Sequence, residues 1–215
     1  MHSVATATDI LQACEQDNVA AVIELATVGG VVSAERLNSR SAIGFTPWLT
    51  AAWKGSVNVL RWLAAQKEVE RDATTANEMA AHAVHLCVIG GHFGALHFLL
   101  TQCGAPADAR DAQQCTPLIV AAQYGEVMCA HLLLRHGAES QAGDMHGDSP
   151  IHWASYKGHE DLVSLLTQGL GNGVAGTVPC TLSFSLLLHA FISASALFTC
   201  PVFVTGLVST CLQLQ

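Results

Sequence analysis

Cations are scarce in this sequence: nine lysines and arginines stand against seventeen aspartates and glutamates, a formal net charge of −8 at neutral pH. A surface that tracks phosphates needs clustered positive charge, so nucleic acid is not expected as a partner. Paired cysteines are missing as well. The eight present (Cys14, Cys87, Cys103, Cys115, Cys129, Cys180, Cys200 and Cys211) form no C-x-x-C and no repeated spacing, which removes a zinc ribbon and a disulfide framework and leaves reduced thiols. No G-x-x-x-x-G-K-[ST], G-x-G-x-x-G or G-x-S-x-G occurs, so neither a phosphate cradle nor a nucleophile elbow is expected. Residues Met1 to Asp9 lack a basic patch followed by an apolar core, so they do not read as a signal peptide and a cytosolic location is expected. Charge is absent altogether from the 54 residues that follow Asp161.

What is present instead is one phrase written four times. It reads Thr46-Pro47-Trp48-Leu49-Thr50-Ala51-Ala52-Trp53-Lys54-Gly55, then His82 to Gly91, then Thr116-Pro117-Leu118-Ile119-Val120-Ala121-Ala122-Gln123-Tyr124-Gly125, then Ser149-Pro150-Ile151-His152-Trp153-Ala154-Ser155-Tyr156-Lys157-Gly158. The closing glycines are 36, 34 and 33 residues apart. A near-constant period of this length marks a stacked repeat, in which each unit buries its apolar side against its neighbours.

The local grammar is that of helix pairs. Three copies open with Thr-Pro or Ser-Pro, where the hydroxyl caps free N–H groups and proline at the first helical position forfeits no hydrogen bond. His82-Ala83 lacks this opening and should start its helix less crisply. Ala51-Ala52, Ala121-Ala122 and Ala154-Ser155 are small enough for first helices to approach one another, and the glycines suit a left-handed residue at the helix end. A second helix then shows apolar stripes at Val59, Leu60 and Leu63, at Leu96, Leu99 and Leu100, at Ala130, Leu133 and Leu134, and at Leu162, Val163 and Leu166. Gly104-Ala105 and Gly137-Ala138 turn the chain out toward exposed hairpins. Before these, Ile10 to Cys14 with Val19, Val22, Ile23 and Leu25 read as a degenerate helix pair suited to a cap. Cys14, Cys87 and Cys129 fall where small apolar residues are wanted.

A period near 33 with a Thr-Pro-Leu-His-x-Ala pattern resembles the ankyrin repeat, over about residues 8 to 168. The resemblance implies an all-α ankyrin-repeat solenoid: a cap over 1–38, four repeats over 39–168 (39–74, 75–108, 109–141 and 142–168), a glycine-rich linker over 169–181 and an uncharged apolar tail over 182–215. The runs Cys115 to Gly125 and His146 to His159 are similar, more narrowly, to the repeats of ankyrin-containing palmitoyltransferases of the Asp-His-His-Cys class. In that family the repeats recruit substrates and precede transmembrane helices and a cysteine-rich catalytic domain. No Asp-His-His-Cys sequence occurs here, so catalysis is not carried over, and no cofactor is expected.

The expected function is that of a protein–protein interaction scaffold, acting as a monomer and holding a segment of a partner protein; the alternative is the substrate-recruiting portion of a membrane protein S-acyltransferase. In an ankyrin stack the two residues before the closing glycine face the concave side, which selects Trp53-Lys54, Ile89-Gly90, Gln123-Tyr124 and Tyr156-Lys157 as partner-binding. Large amphipathic rings aligned across repeats are what interface anchors look like. The hairpin tips Ser41–Gly44, Asp111–Gln114 and Asp144–Gly147 form a second candidate surface, with Asp111, Gln113, Asp144 and His146 as its contacts. Eleven histidines invite a metal centre, and His82-x-x-His85 would set two rings on one helical face. His85 and His152 share one repeat position, however, and His92 and His159 another, so packing roles are expected of them and no metal. Asp144, Asp148, Glu160 and Asp161 are expected to be solvated.

The tail stays open to more than one reading. Leu182 to Val204 is uncharged and long enough to cross a hydrocarbon layer of roughly 30 Å as a helix, leaving the acidic repeats on the cytosolic side. Its serines, His189 and Pro201, the lack of a Trp or Tyr belt, and the absence of any Lys or Arg flank closer than Lys157 argue against this. The second reading is a segment foreign to the fold, as an alternative splice product or a misjudged coding boundary would leave. A soluble helix covering the last repeat is the third.

Overall fold

The computed structural model describes residues 10–41, 44–76 and 79–171. The anticipated apolar tail and nearly all of the anticipated linker lie outside these residues.

The cap holds α1 (residues 10–15) and α2 (Val19–Ala26), a hairpin of β1 (Thr27–Val28) and β2 (Val31–Val32), and a single turn, α3 (Ala34–Leu37). The hairpin is a departure from a purely helical expectation. Its two-residue loop is Gly29-Gly30, with φ of 59° and 85°, which is the positive-φ pair that a tight hairpin demands and that β-branched flanks then extend. The cap also differs at Ile23, expected in the apolar stripe but 39% exposed, whereas Ile10, Cys14 and Val22 are fully buried.

Four helix pairs follow: α4 (Pro47–Lys54) with α5 (Val57–Ala65), α6 (Ala83–Ile89) with α7 (Phe93–Gln102), α8 (Pro117–Tyr124) with α9 (Val127–Arg135), and α10 (Pro150–Lys157) with α11 (Glu160–Gly171). First helices pack in the order α4, α6, α8, α10, and second helices in the order α5, α7, α9, α11, with α2 against α5. Each unit therefore touches its sequence neighbours, as a one-dimensional stack requires. Leu49, Val59, Leu60, Leu63, Cys87, Leu96, Leu118, Ile119, Cys129, Leu133, Ala154 and Leu162 are buried between these layers. Helix α11 runs on to Gly171, three residues past the expected end of the last repeat.

Helix starts follow the chemistry of their residues. Thr46 Oγ1 accepts from Leu49 N–H, and Thr116 Oγ1 from Ile119 N–H, both at 3.3 Å, with proline at the first helical position. Where Thr-Pro is missing, at α6, the start is secured instead by His85, whose Nδ1 accepts the His82 N–H at 3.3 Å. At each pair's internal turn the residue after the closing glycine donates its N–H five residues back: Ser56 to Ala51, His92 to Cys87, Glu126 to Ala121 and His159 to Ala154. Asn18 donates to Ala13 in the same way, which aligns Asp17, at φ 52°, with the left-handed glycines.

Candidate docking face

Histidines and acids tie adjacent repeats together. His85 is buried; its Nε2 lies 3.0 Å from the Cys115 carbonyl of the next repeat, while Nδ1 is occupied by the His82 N–H. With Nδ1 an acceptor, Nε2 carries the proton, and the ring is neutral. Burial pulls its pKa below the ordinary 6.5, against the opposing pull of the Cys115 carbonyl and Asp111. His92 Nε2 donates to the Trp53 carbonyl at 2.9 Å, its ring lying close to Gly55 and Gly90; one repeat on, the Glu126 carboxylate lies against Gly91, and two repeats on the His159 ring lies against Gly125.

The hairpin fingers are closed by one side-chain oxygen at each turn. Ser41 Oγ accepts the Phe45 N–H, Thr75 Oγ1 the Ala81 N–H, Asp111 Oδ1 the Cys115 N–H, and Asp144 Oδ1 the Asp148 N–H, at 3.0, 2.9, 2.8 and 3.0 Å. The Thr75 finger spans two more residues than the others, which accounts for the longer 36-residue interval. Consecutive fingers are joined by Ala112 N–H to Met79 O and Met145 N–H to Gln113 O, both 2.9 Å.

This geometry corrects part of the sequence reading. Asp111 and Asp144 were expected at exposed tips, and Asp144 to be solvated, but both are buried. Asp111 Oδ1 also takes the Gln113 N–H at 2.9 Å; Asp144 also takes the His146 N–H at 2.9 Å and, through Oδ2, the Trp153 indole N–H at 2.9 Å. Burial alone would raise the Asp144 pKa; the Trp153, His146 and Asp148 donors outweigh it and hold the carboxyl below its usual range. These carboxylates are spent on building the turn. Gln113 is half-buried beside them and His146 is exposed.

The ends of the first helices present a different surface. Trp53, Tyr124 and Tyr156 are 38, 53 and 61% exposed, although almost every residue before them in α4 and α8 is buried. Ile89 and Gln123 are half-buried, and Lys54, Gly90 and Lys157 are exposed. Trp53 leans on Phe45 at 5.2 Å between centroids, and Tyr156 meets Trp153 edge-on at 6.1 Å, so both rings are braced from behind. Lys54 Nζ stands 4.9 Å above the Trp53 ring and Lys157 Nζ 5.6 Å above Tyr156. Lys54 also reaches Glu15 Oε1 at 3.6 Å. Glu15 and Gln16 occupy the corresponding positions of the cap, which sequence reading missed; counting back from Asp17 as the counterpart of Gly55 would have found them.

Nothing in the described residues adds a reactive centre. Among them, no group of three or more His, Cys, Asp or Glu could hold a metal ion, and the His82 and His85 rings stack at 5.9 Å rather than converging. Burial, with help from Asp17 and Glu15, pushes the Cys14 thiol up to about 12; burial likewise pushes Cys115 and Cys129 to about 11 and raises Cys87, so these thiols stay protonated. No described helix is long and apolar enough to cross a membrane.

Residues 84–174 match the family model for ankyrin repeats in three copies. Match and stack together define this part of the chain as ankyrin repeats, a non-catalytic module that generally binds other proteins. The chain is 42% identical over 48 residues to the probable protein S-acyltransferase 23 of Arabidopsis thaliana, covering 22% of this chain and 9% of that one. It is 26% identical over 113 residues to palmitoyltransferase AKR1 of Debaryomyces hansenii (49% and 14%), and 31% identical over 101 residues to the transient receptor potential cation channel subfamily A member 1 homolog of Caenorhabditis elegans (46% and 8%). The match thus spans less than a sixth of each relative, and relatives named for acyl transfer and for a channel share it. The likeness follows the repeats rather than one activity.

Proposed function

We propose that this chain is a protein-binding scaffold whose partner segment docks along the concave row formed by the ends of α4, α6, α8 and α10. The exposure of Trp53 and Tyr124 at the ends of the largely buried helices α4 and α8, with Tyr156 exposed at the matching position of α10, carries this reading. Trp53 and Tyr156 are held from behind by Phe45 and Trp153, and all three rings offer a large apolar area with few rotors to freeze, which is the property of an interface anchor. The finger tips contribute through Gln113 and His146, while Asp111 and Asp144 act by holding the fingers in place. Catalysis is not part of this role, and the deficit of cations directs it toward protein rather than nucleic acid. The acidic repeats work on the cytosolic side of the cell.

A second reading is favoured by the 42% identical run to the plant S-acyltransferase: a recruiting arm that delivers proteins to an acyl-transfer centre carried elsewhere. A longer product of the same gene with a cysteine-rich acyltransferase domain would establish it. The docking face itself is tested by replacing Trp53, Tyr124 and Tyr156 with alanine. Partner capture should collapse while helical circular dichroism persists, and capture that survives unchanged would refute the assignment.

A further inference from the structure

Charge is distributed along the docking row in a way the rest of the chain does not share. Taken repeat by repeat, the two positions before the closing residue hold Glu15 and Gln16 in the cap, then Trp53 and Lys54, Ile89 and Gly90, Gln123 and Tyr124, and Tyr156 and Lys157. Within the four full repeats the row thus begins and ends with one device, an ammonium standing over an exposed ring, and carries no charge between. The chain as a whole has a net charge of −8, so two exposed cations framing an uncharged aromatic middle reverse the prevailing sign locally. Lys54 is partly engaged by Glu15, but that contact is long at 3.6 Å, and the two side chains are 39 and 45% exposed; a pair of this kind is weak in water and leaves the ammonium free to take a stronger carboxylate.

The span between the two ammonium groups sets a length. First helices pack in the order α4, α6, α8, α10, three steps from Lys54 to Lys157. Packed helix axes lie about 8–10 Å apart, so the row is about 24–30 Å long. An extended chain advances about 3.3 Å per residue, so roughly eight or nine residues cover it.

Resting on the docking reading above, we propose that the occupant is an extended peptide segment of about nine residues with a carboxylate near each end and apolar or aromatic side chains between, its acids meeting Lys54 and Lys157 and its middle lying on Ile89, Tyr124 and the Trp53 and Tyr156 rings.

The experiment uses the full chain and three randomised nonapeptide libraries that differ only at their first and last residues: acidic, basic or uncharged. The acid-ended library should give the enriched binders. Those binders should lose about tenfold in affinity against Lys54→Glu/Lys157→Glu and weaken as salt is raised, since exposed charge pairs act mainly through steering and are screened. They should also be lost against Trp53→Ala/Tyr124→Ala/Tyr156→Ala. Equal enrichment from uncharged ends, with binding that ignores the lysine reversals but needs the three rings, would overturn the charge pattern and leave the docking face standing. Binders indifferent to both sets of substitutions would overturn the docking face itself. Because all five substitutions are at exposed sites, each variant's helical circular dichroism and urea midpoint are compared with wild type so that a fold defect is not read as a lost contact.

Discussion

Asp17 caps a helix that belongs to another unit. Its Oδ1 accepts the Val59 N–H at 3.0 Å and its Oδ2 the Asn58 side-chain amide at 2.7 Å, while Ser56, at the N-cap of α5 and without a side-chain cap bond of its own, donates its hydroxyl to the Cys14 carbonyl at 2.6 Å. Cap and first repeat thus exchange hydrogen bonds, and the carboxylate also meets the positive end of α5. Asp17→Ala should cost about 1–2 kcal/mol, the range for a lost N-cap, with a further penalty because alanine is poorly suited to φ 52°. Asp17→Gly should cost less, since it loses the cap but suits the left-handed backbone, and Asp17→Asn least. Urea denaturation of the three variants reads the order, and equal costs for alanine and asparagine would dismiss the cap.

His85 makes the stack sensitive to mild acid. Burial is the dominant effect and outweighs the pull of the Cys115 carbonyl, while Nδ1 is already occupied by the His82 N–H, so the folded ring is neutral and its pKa lies below the ordinary 6.5. Below about pH 6.5 the unfolded chain takes up a proton that the folded chain refuses. Stability from this group is therefore complete above that value and declines as pH falls from it toward the lowered folded pKa. His85→Gln should be less stable than wild type near pH 7.5, and the gap should narrow as pH drops to about 5.5. Urea midpoints at the two pH values check this; a gap that stays constant would show that His85 does not supply the pH dependence.

Much of this was legible in the sequence because the repeat imposes the same physics at the same position. The Thr-Pro caps, the closing glycines and the stripe Val59, Leu60, Leu63 each announce themselves by residue type. The hairpin of β1 and β2 was legible too, in Thr-Val-Gly-Gly-Val-Val, but a helical frame hid it. Asp111 and Asp144 misled because an acid in a polar turn looks the same whether it faces water or folds back on its own N–H groups. Only the distances to Cys115 and Trp153 distinguish the two. The cap end of the docking row escaped because Asp17, and not glycine, fills its left-handed position.

The Asp144 carboxylate and the Trp153 indole form a coupled pair across the last finger. Asp144→Asn keeps the shape, yet an amide oriented to accept from the His146 and Asp148 N–H groups turns its own N–H toward the indole donor 2.9 Å from Oδ2. The substitution should cost about 1 kcal/mol, the low end of the range for a donor left without an acceptor, because the Trp153 indole is half-buried. In a Trp153→Phe background that clash of donors vanishes, so the same change should cost less, and the difference is the coupling energy of the pair. Acid should reproduce part of the loss: the contribution is intact above the usual carboxylate pKa and fades as pH falls through the lowered folded value. Additive costs in the double-mutant cycle would show that the indole contact carries no energy.

Gly90 tests whether close approach or helix propensity governs the ends of the first helices. Its φ of −81° is open to any residue, and Lys54, Tyr124 and Lys157 hold the same position in the other repeats. A Cβ on Gly90, however, would stand 2.5 Å from His92 Cδ2, 2.6 Å from its Nε2 and 2.9 Å from the Trp53 carbonyl, the acceptor of the His92 ring. Alanine is favoured over glycine in a helix by about 1 kcal/mol, so propensity alone would make Gly90→Ala stabilising. Overpacking against a ring and a backbone carbonyl costs about 1–3 kcal/mol and should win, because the carbonyl cannot swing aside as a side chain can. Adding His92→Ala should recover part of the loss by removing the ring, but not all of it, since the Trp53 carbonyl stays in place. Urea denaturation of the single and double variants decides between the two effects: a stabilised Gly90→Ala would mean that His92 moves away freely and that the contact it makes with Trp53 does not lock adjacent repeats together.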